Sequence, residues 1–201
     1  MKKILFFLPL AVIAFSFQTS DIVPIAIGTP IPKADVKLID AVSGNSYTIN
    51  DKKGINGTLV MFSCNTCPFV VANEKRIADV QANAKRMNIG VVIINSNEGK
   101  RGDDDSRDAM KAYAEKQKFI APYLIDENSV FANAFGASRT PESFLFDKDG
   151  KLAYRGAIDD SPKDESAVKT HYLLDAMTAV SKGKEVTTKT TVSSGCSIKR
   201  K

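Results

Sequence analysis

Two thiols spaced C-x-x-C, Cys64 and Cys67 in the run Cys64-Asn65-Thr66-Cys67-Pro68, are the side chains of this chain best suited to chemistry. They follow directly on an apolar run, Thr58-Leu59-Val60-Met61-Phe62. A buried strand that ends in C-x-x-C and runs into a helix serves reversible thiol chemistry. Unpaired N–H groups in the first helical turn create positive potential, which favours thiolate over thiol. Only a thiolate attacks a disulfide or a peroxide at a useful rate. A third thiol, Cys196, lies in a basic, hydrophilic tail next to Gly195, which allows a tight bend. It reads as a third redox partner, as a link to another chain, or as a plain free cysteine.

The elements that must hold these thiols follow from the pattern around them. Val36-Lys37-Leu38-Ile39-Asp40 and Ser46-Tyr47-Thr48-Ile49, joined by Ser43-Gly44-Asn45, predict a hairpin. The strand at Thr58 to Phe62 then feeds one helix over 68–87, with Pro68 in the first turn, where its missing N–H has no intrahelical partner anyway. Residues 89–95 form an apolar, β-branched central strand. A helix at 106–118, a short strand at 123–125 and a short helix at 129–135 stopped by Gly136 come next. A second hairpin, 143–146 with 152–155, turns at Asp147-Lys148-Asp149-Gly150. A helix at 168–181 closed by Gly183 ends the regular part. The order predicts an α/β fold with a mixed sheet covered by helices.

A length of 201 residues suits one domain with a proper core. Residues 1–20 read as a cleaved export signal. Lys2 and Lys3 form the charged end, and an apolar run over 4–17 is too short to span a bilayer comfortably. An uncleaved N-terminal anchor is the other reading, and 21–186 and 187–201 are then the domain and its tail. Export places the protein in an oxidising compartment such as a periplasm. Three cysteines are too few for a disulfide scaffold, so catalytic use fits better. The net charge of +5 is spread over interleaved basic and acidic residues, which argues for a solvated surface and against nucleic acid.

Taken together, Phe62-Ser63-Cys64-Asn65-Thr66-Cys67-Pro68, Ile94-Asn95-Ser96-Asn97, Thr140-Pro141 before a strand, and the closing hairpin and helix resemble the thioredoxin fold. Within that superfamily the chain resembles the peroxiredoxin-like branch of the redoxins. The resemblance implies a cis Pro141 facing the cysteines, with the Thr140 backbone free to pair with substrate and Arg139 beside it lending positive potential. It implies a thiol–disulfide oxidoreductase in which an exposed Cys64 attacks a protein or small-molecule disulfide and Cys67 resolves, with a dithiol as electron donor. The alternative it implies is a thiol peroxidase in which Cys67 attacks peroxide and condenses with Cys64 or Cys196. True peroxiredoxins place a hydroxyl three positions before the reactive cysteine; here that position is Cys64. Two readings from other classes are a non-catalytic binding module and a copper chaperone, since soft thiolates suit Cu(I). The copper motif has one more residue between its cysteines and a distant histidine, whereas His171 falls mid-helix and is read here as an ordinary packing or surface histidine. Neither metal nor organic cofactor is expected. Asp103-Asp104-Asp105 reads as starting or preceding a helix, where carboxylates suit the dipole, with calcium binding as the alternative.

Overall fold

Strand β3 (Gly57–Phe62) is buried along its whole length in a computed structural model that describes residues 22–201. The expected export signal at 1–20 lies outside the described residues. The elements run β1 (Leu38–Asp40), β2 (Ser46–Tyr47), β3, α1 (Pro68–Val71), α2 (Glu74–Arg86), β4 (Ile89–Asn95), α3 (Arg107–Lys116), β5 (Tyr123–Ile125), α4 (Val130–Phe135), β6 (Arg139–Thr140), β7 (Glu142–Asp147), β8 (Leu152–Gly156), α5 (Tyr172–Ser181) and β9 (Cys196–Ser197). A seven-stranded sheet has the order β2-β1-β5-β4-β3-β7-β8. Its centre, β3, β4 and β5, is parallel, and its flanks pair antiparallel. This is the mixed, helix-flanked α/β sheet that the sequence order predicts.

Both faces of β3 are covered because its side chains alternate. Leu59 and Met61 join one core cluster with Ile77, Val80, Leu173 and Met177 from α2 and α5. Val60 and Phe62 join the other, with Phe131 and Phe135 from α4 and Phe144 and Phe146 from β7. Phe62, Phe135 and Phe144 meet edge to face at 5.4–5.7 Å, which adds to the gain from burying each ring. The predicted N-terminal hairpin, β1 with β2, extends the sheet, with β1 paired to β5 and β2 at the edge. Because β3, β4 and β5 are parallel, the residues after all three strands gather at one end of the sheet. Crevices at the carboxyl ends of parallel strands are where open α/β sheets bind ligands.

The predicted helix 68–87 is two helices. Asn73 breaks it: its side chain donates to the carbonyls of Phe69 (2.7 Å) and Pro162 (2.8 Å). A short amide that competes with the helical ladder in this way ends a helix locally. The predicted helix 168–181 starts only at Tyr172, so His171 sits exposed at its N-cap rather than mid-helix. Just beneath the Asn73 break, the buried Arg76 guanidinium pairs with Asp159 at 2.7 Å and donates to the Ser161 carbonyl. That pair ties α2 to the segment before α5.

Candidate active site

The end of β3 delivers Cys64 and Cys67 to the gathered strand ends. Cys67 is the N-cap of α1, with extended backbone, and Pro68 follows at the first helical position. Both thiols are buried, Cys64 at 2% and Cys67 at 4% exposure. The expectation of an exposed Cys64 is corrected here: the Thr140 hydroxyl sits 3.1 Å from Cys64 Sγ. Cys67 Sγ lies 3.3 Å from the Thr140 carbonyl oxygen and 2.6 Å from Cys196 Sγ. The last distance exceeds a covalent S–S bond by only about half an ångström. Three sulfurs therefore gather with Cys67 between the other two, and Cys196 alone of the three is more than marginally exposed.

The Thr140–Pro141 bond is cis, as the resemblance implies. The Thr140 backbone, however, is not free. β9 pairs antiparallel with β6, placing Cys196 opposite Thr140. The tail expected as a polar thread is instead stitched down on both sides of Cys196. Before it, Thr191 donates to the Arg155 carbonyl at 3.0 Å and Tyr154 meets the Thr191 hydroxyl at 2.7 Å. After it, Ile198 is buried in the α4-side core and donates to the Ser138 carbonyl, and Lys199 N–H donates to Asn97 Oδ1 at 2.9 Å. Gly195 is needed where the strand crosses, since a Cβ there would come within 2.3 Å of the Thr140 carbonyl oxygen. Arg139 is exposed and its guanidinium donates to the Gly195 carbonyl at 3.3 Å, so it holds the tail.

The electrostatics single out Cys67. The thiol of Cys64 directed at it, then the Cys196 thiol and the backbone N–H groups of Val70 and Cys196, hold Cys67 down to about 4 against the opposing effect of burial. The hydrogen bond to Cys67 and burial push the Cys64 thiol far up. Burial and the hydrogen bond to Cys67 push Cys196 up to about 11, with Lys199 and Arg139 pulling back. These surroundings thus favour a thiolate on Cys67 over one on either neighbour. Because α1 is a single turn, the help comes from the nearby N–H groups rather than from a long helix dipole.

Residues to which the sequence reading gave no role at the site, Asp105, Asn95, Asn97 and Tyr123 with Asn65, build the wall behind Cys64. Asp105 precedes α3, as the sequence predicts, but it is only 1% exposed. It accepts from Asn65 N–H (2.9 Å), from the Asn95 amide (2.7 Å) and from the Asn97 amide (2.8 Å). Tyr123 donates to Asn65 Oδ1 at 2.9 Å. Burial, then the Asp105 charge, drive its phenol well above its ordinary value, so it stays a neutral donor. The turn at 138–141 has its own buried carboxylate: Glu142 accepts from the N–H groups of Ser138 and Arg139 at 2.8 and 3.0 Å. The one sequence signal for these residues is the polar triplet Asn95-Ser96-Asn97 that follows Ile94 at a strand end. His171 shares a cleft with Arg76, Asp159 and Glu165 and not with the sulfurs.

Comparison with known proteins places this arrangement. A family model described as Redoxin matches residues 26–172. An uncharacterized conserved protein from Geobacillus kaustophilus is 34% identical, with 88% of this chain and 93% of that one covered and a TM-score of 0.81. A hypothetical protein from Sinorhizobium meliloti 1021 is also 34% identical, covering 88% of this chain and 96% of its own at a TM-score of 0.80. A secreted Mycobacterium tuberculosis disulfide oxidoreductase homologous to E. coli DsbE shares the fold alone, at 16% identity, 73% and 97% coverage and a TM-score of 0.56. No curated protein matches the chain.

Proposed function

We propose that this chain, which belongs to the Redoxin family and has the thioredoxin-like fold, is a thiol–disulfide oxidoreductase cycling between the Cys64/Cys67 dithiol and its disulfide. The observation that carries this is the placing of the two thiols at the end of the buried central strand, with Cys67 at the N-cap of α1, where the Cys64 thiol and nearby N–H groups favour its thiolate. The geometry favours Cys67 as the attacking sulfur and Cys64 as the resolving one, the reverse of the first assignment from sequence. In the forward direction Cys67 attacks a disulfide of a protein or small molecule. The mixed disulfide is then opened by Cys64, whose proton leaves with the released thiol. A dithiol restores the reduced pair.

Export rests on the character of residues 1–20 and fits the secreted character of the Mycobacterium tuberculosis neighbour. Among the described residues no helix is long and apolar enough to cross a membrane. We take 21–186 as the domain and 187–201 as a tail that completes it.

The low Cys67 value also favours the peroxidase reading, in which the same sulfur attacks peroxide. Against it stands Cys64 where a peroxide-orienting hydroxyl belongs. Purified wild type and each Cys→Ser variant, assayed in parallel with hydrogen peroxide and with insulin disulfides, separate the two. Insulin reduction is expected to vanish in Cys64→Ser and Cys67→Ser while peroxide is consumed at the pace of a simple thiol. Peroxide turnover roughly a hundredfold faster, lost only with Cys67, establishes the peroxidase instead.

A further inference from the structure

We infer that Cys196 is the outward-facing thiol of a three-sulfur relay, through which an external dithiol reaches the buried Cys64–Cys67 pair. The inference rests on the oxidoreductase reading above. Three observations carry it. Cys67 Sγ and Cys196 Sγ are 2.6 Å apart. Cys64 and Cys67 are 2% and 4% exposed, whereas Cys196 is half-buried and meets solvent. The tail is fixed on both sides of Cys196, by Thr191 before it and by Ile198 and Lys199 after it, so the third sulfur is a built-in part of the site.

The steps balance without a further oxidant. In the oxidised chain the Cys196 thiolate attacks Cys67 Sγ. The Cys67–Cys196 bond forms, the Cys64–Cys67 bond breaks, and Cys64 leaves with the electron pair. The Thr140 hydroxyl, 3.1 Å from Cys64 Sγ, is placed to hydrogen-bond that leaving thiolate until it takes up the proton given by Cys196. An external dithiol then attacks Cys196 Sγ, the accessible sulfur, and Cys67 leaves as thiolate. The dithiol's second sulfur attacks its first, frees Cys196 and departs as a disulfide, so two electrons have entered the protein. Of the two sulfurs in the Cys67–Cys196 bond, Cys67 is the better leaving group, because its neighbours stabilise its thiolate. Access and leaving-group chemistry therefore select the same sulfur for attack.

The test combines disulfide mapping with the rate of reduction. Cys64→Ser, oxidised with diamide and peptide-mapped, is expected to carry a Cys67–Cys196 bond, and Cys64→Ala provides the same result should the serine variant misfold. Oxidised Cys196→Ser is expected to keep a Cys64–Cys67 bond yet be reduced by dithiothreitol roughly tenfold more slowly than wild type, with unchanged thermal unfolding. A Cys64–Cys67 bond reduced equally fast with and without Cys196, or no Cys67–Cys196 bond in folded Cys64 variants, overturns the relay and leaves the oxidoreductase reading intact. A wild type in which Cys64 and Cys67 never join overturns both.

Discussion

Behind Cys64 the site is walled by side chains cut off from solvent, Asp105 at 1% and Tyr123 at 0% exposure; in front of Cys67 it is walled by a strand from a polar tail whose Val192 is 89% exposed. The inner wall is a network of side-chain hydrogen bonds fixed to β4 and β5. The outer wall is backbone pairing of β9 on β6, and it carries a sulfur of its own. Buried networks of this kind lose heavily when one member is removed, because the remaining donors keep no partner. A two-residue strand pair at the surface, half-buried at Cys196 and exposed at Ser197, can be loosened at smaller cost to the fold. The inner wall thus sets where the thiols stand, and the outer wall sets what can reach them. The two are joined at Asn97, whose amide N–H₂ donates to Asp105 while its oxygen accepts from Lys199.

The largest effect expected is at the sulfur between the walls. Cys67→Ser removes the thiolate and with it all disulfide exchange. In the reduced wild type the thiolate ultraviolet absorbance should persist as pH falls and disappear only through about 4, since the folded value lies below the free value of 9.0 and ionisation holds down to the folded one. Reduced Cys67→Ser should show no thiolate in the neutral range. A wild-type thiolate signal that instead vanishes near pH 9 means that the packing around Cys67 does not activate it.

Next in size is Asp105→Ala, which leaves the Asn65 N–H and the amides of Asn95 and Asn97 without their acceptor. A loss of about 2–4 kcal/mol in urea unfolding is expected. Asp105→Asn should recover part of it, as one amide oxygen can still serve two donors while its N–H₂ meets the Asn97 N–H₂. A change within about 0.5 kcal/mol places Asp105 among ordinary surface sites and removes the contrast between the walls.

That contrast also marks what the sequence carried and what it did not. The order of elements and the Cys64/Cys67 pair follow from local signals, periodicity, turn residues and a spaced motif, whereas the cis Pro141 follows from the resemblance to the thioredoxin fold. Asp105 hid in an acidic triplet because its partners, Asn65 and Asn95, come from other strand ends. The break at Asn73 hid for the same reason, its second acceptor being the carbonyl of Pro162. The tail reads as a thread because its large apolar residues are just Val192, which is 89% exposed, and Ile198, and strand pairing by backbone groups leaves no trace in side-chain type. The resemblance implies a free Thr140 backbone, and nothing local in the sequence signals that β9 pairs with it.

A smaller effect is expected from prying the outer wall away. Gly195→Val puts side-chain carbon against the Thr140 carbonyl, which a Cβ would approach to 2.3 Å. The strand must shift, and Cys67 should react roughly tenfold faster with iodoacetamide, while urea stability drops by no more than about 1 kcal/mol. Equal alkylation rates, or a loss of stability as large as that of Asp105→Ala, mean that β9 belongs to the inner wall in all but position.

The smallest effect falls on the charge at the rim. Arg139 is exposed, holds the Gly195 carbonyl and, with Lys199, lowers the Cys196 thiol from where burial would put it. An attacking thiolate is an anion, so these cations favour its approach to Cys196 through solvent. Exposed charges in water are worth only a few tenths of a kcal/mol to about 1 kcal/mol, so Arg139→Gln should slow reduction by dithiothreitol about two- to threefold. Salt should act as a second, independent lever: raising ionic strength shortens the reach of the charge and should slow the wild type toward the variant's rate. The variant itself should respond less. A loss as large as that of Cys196→Ser, insensitive to salt, would assign Arg139 to holding β9 in register, and the rim would then act through the strand rather than through its field.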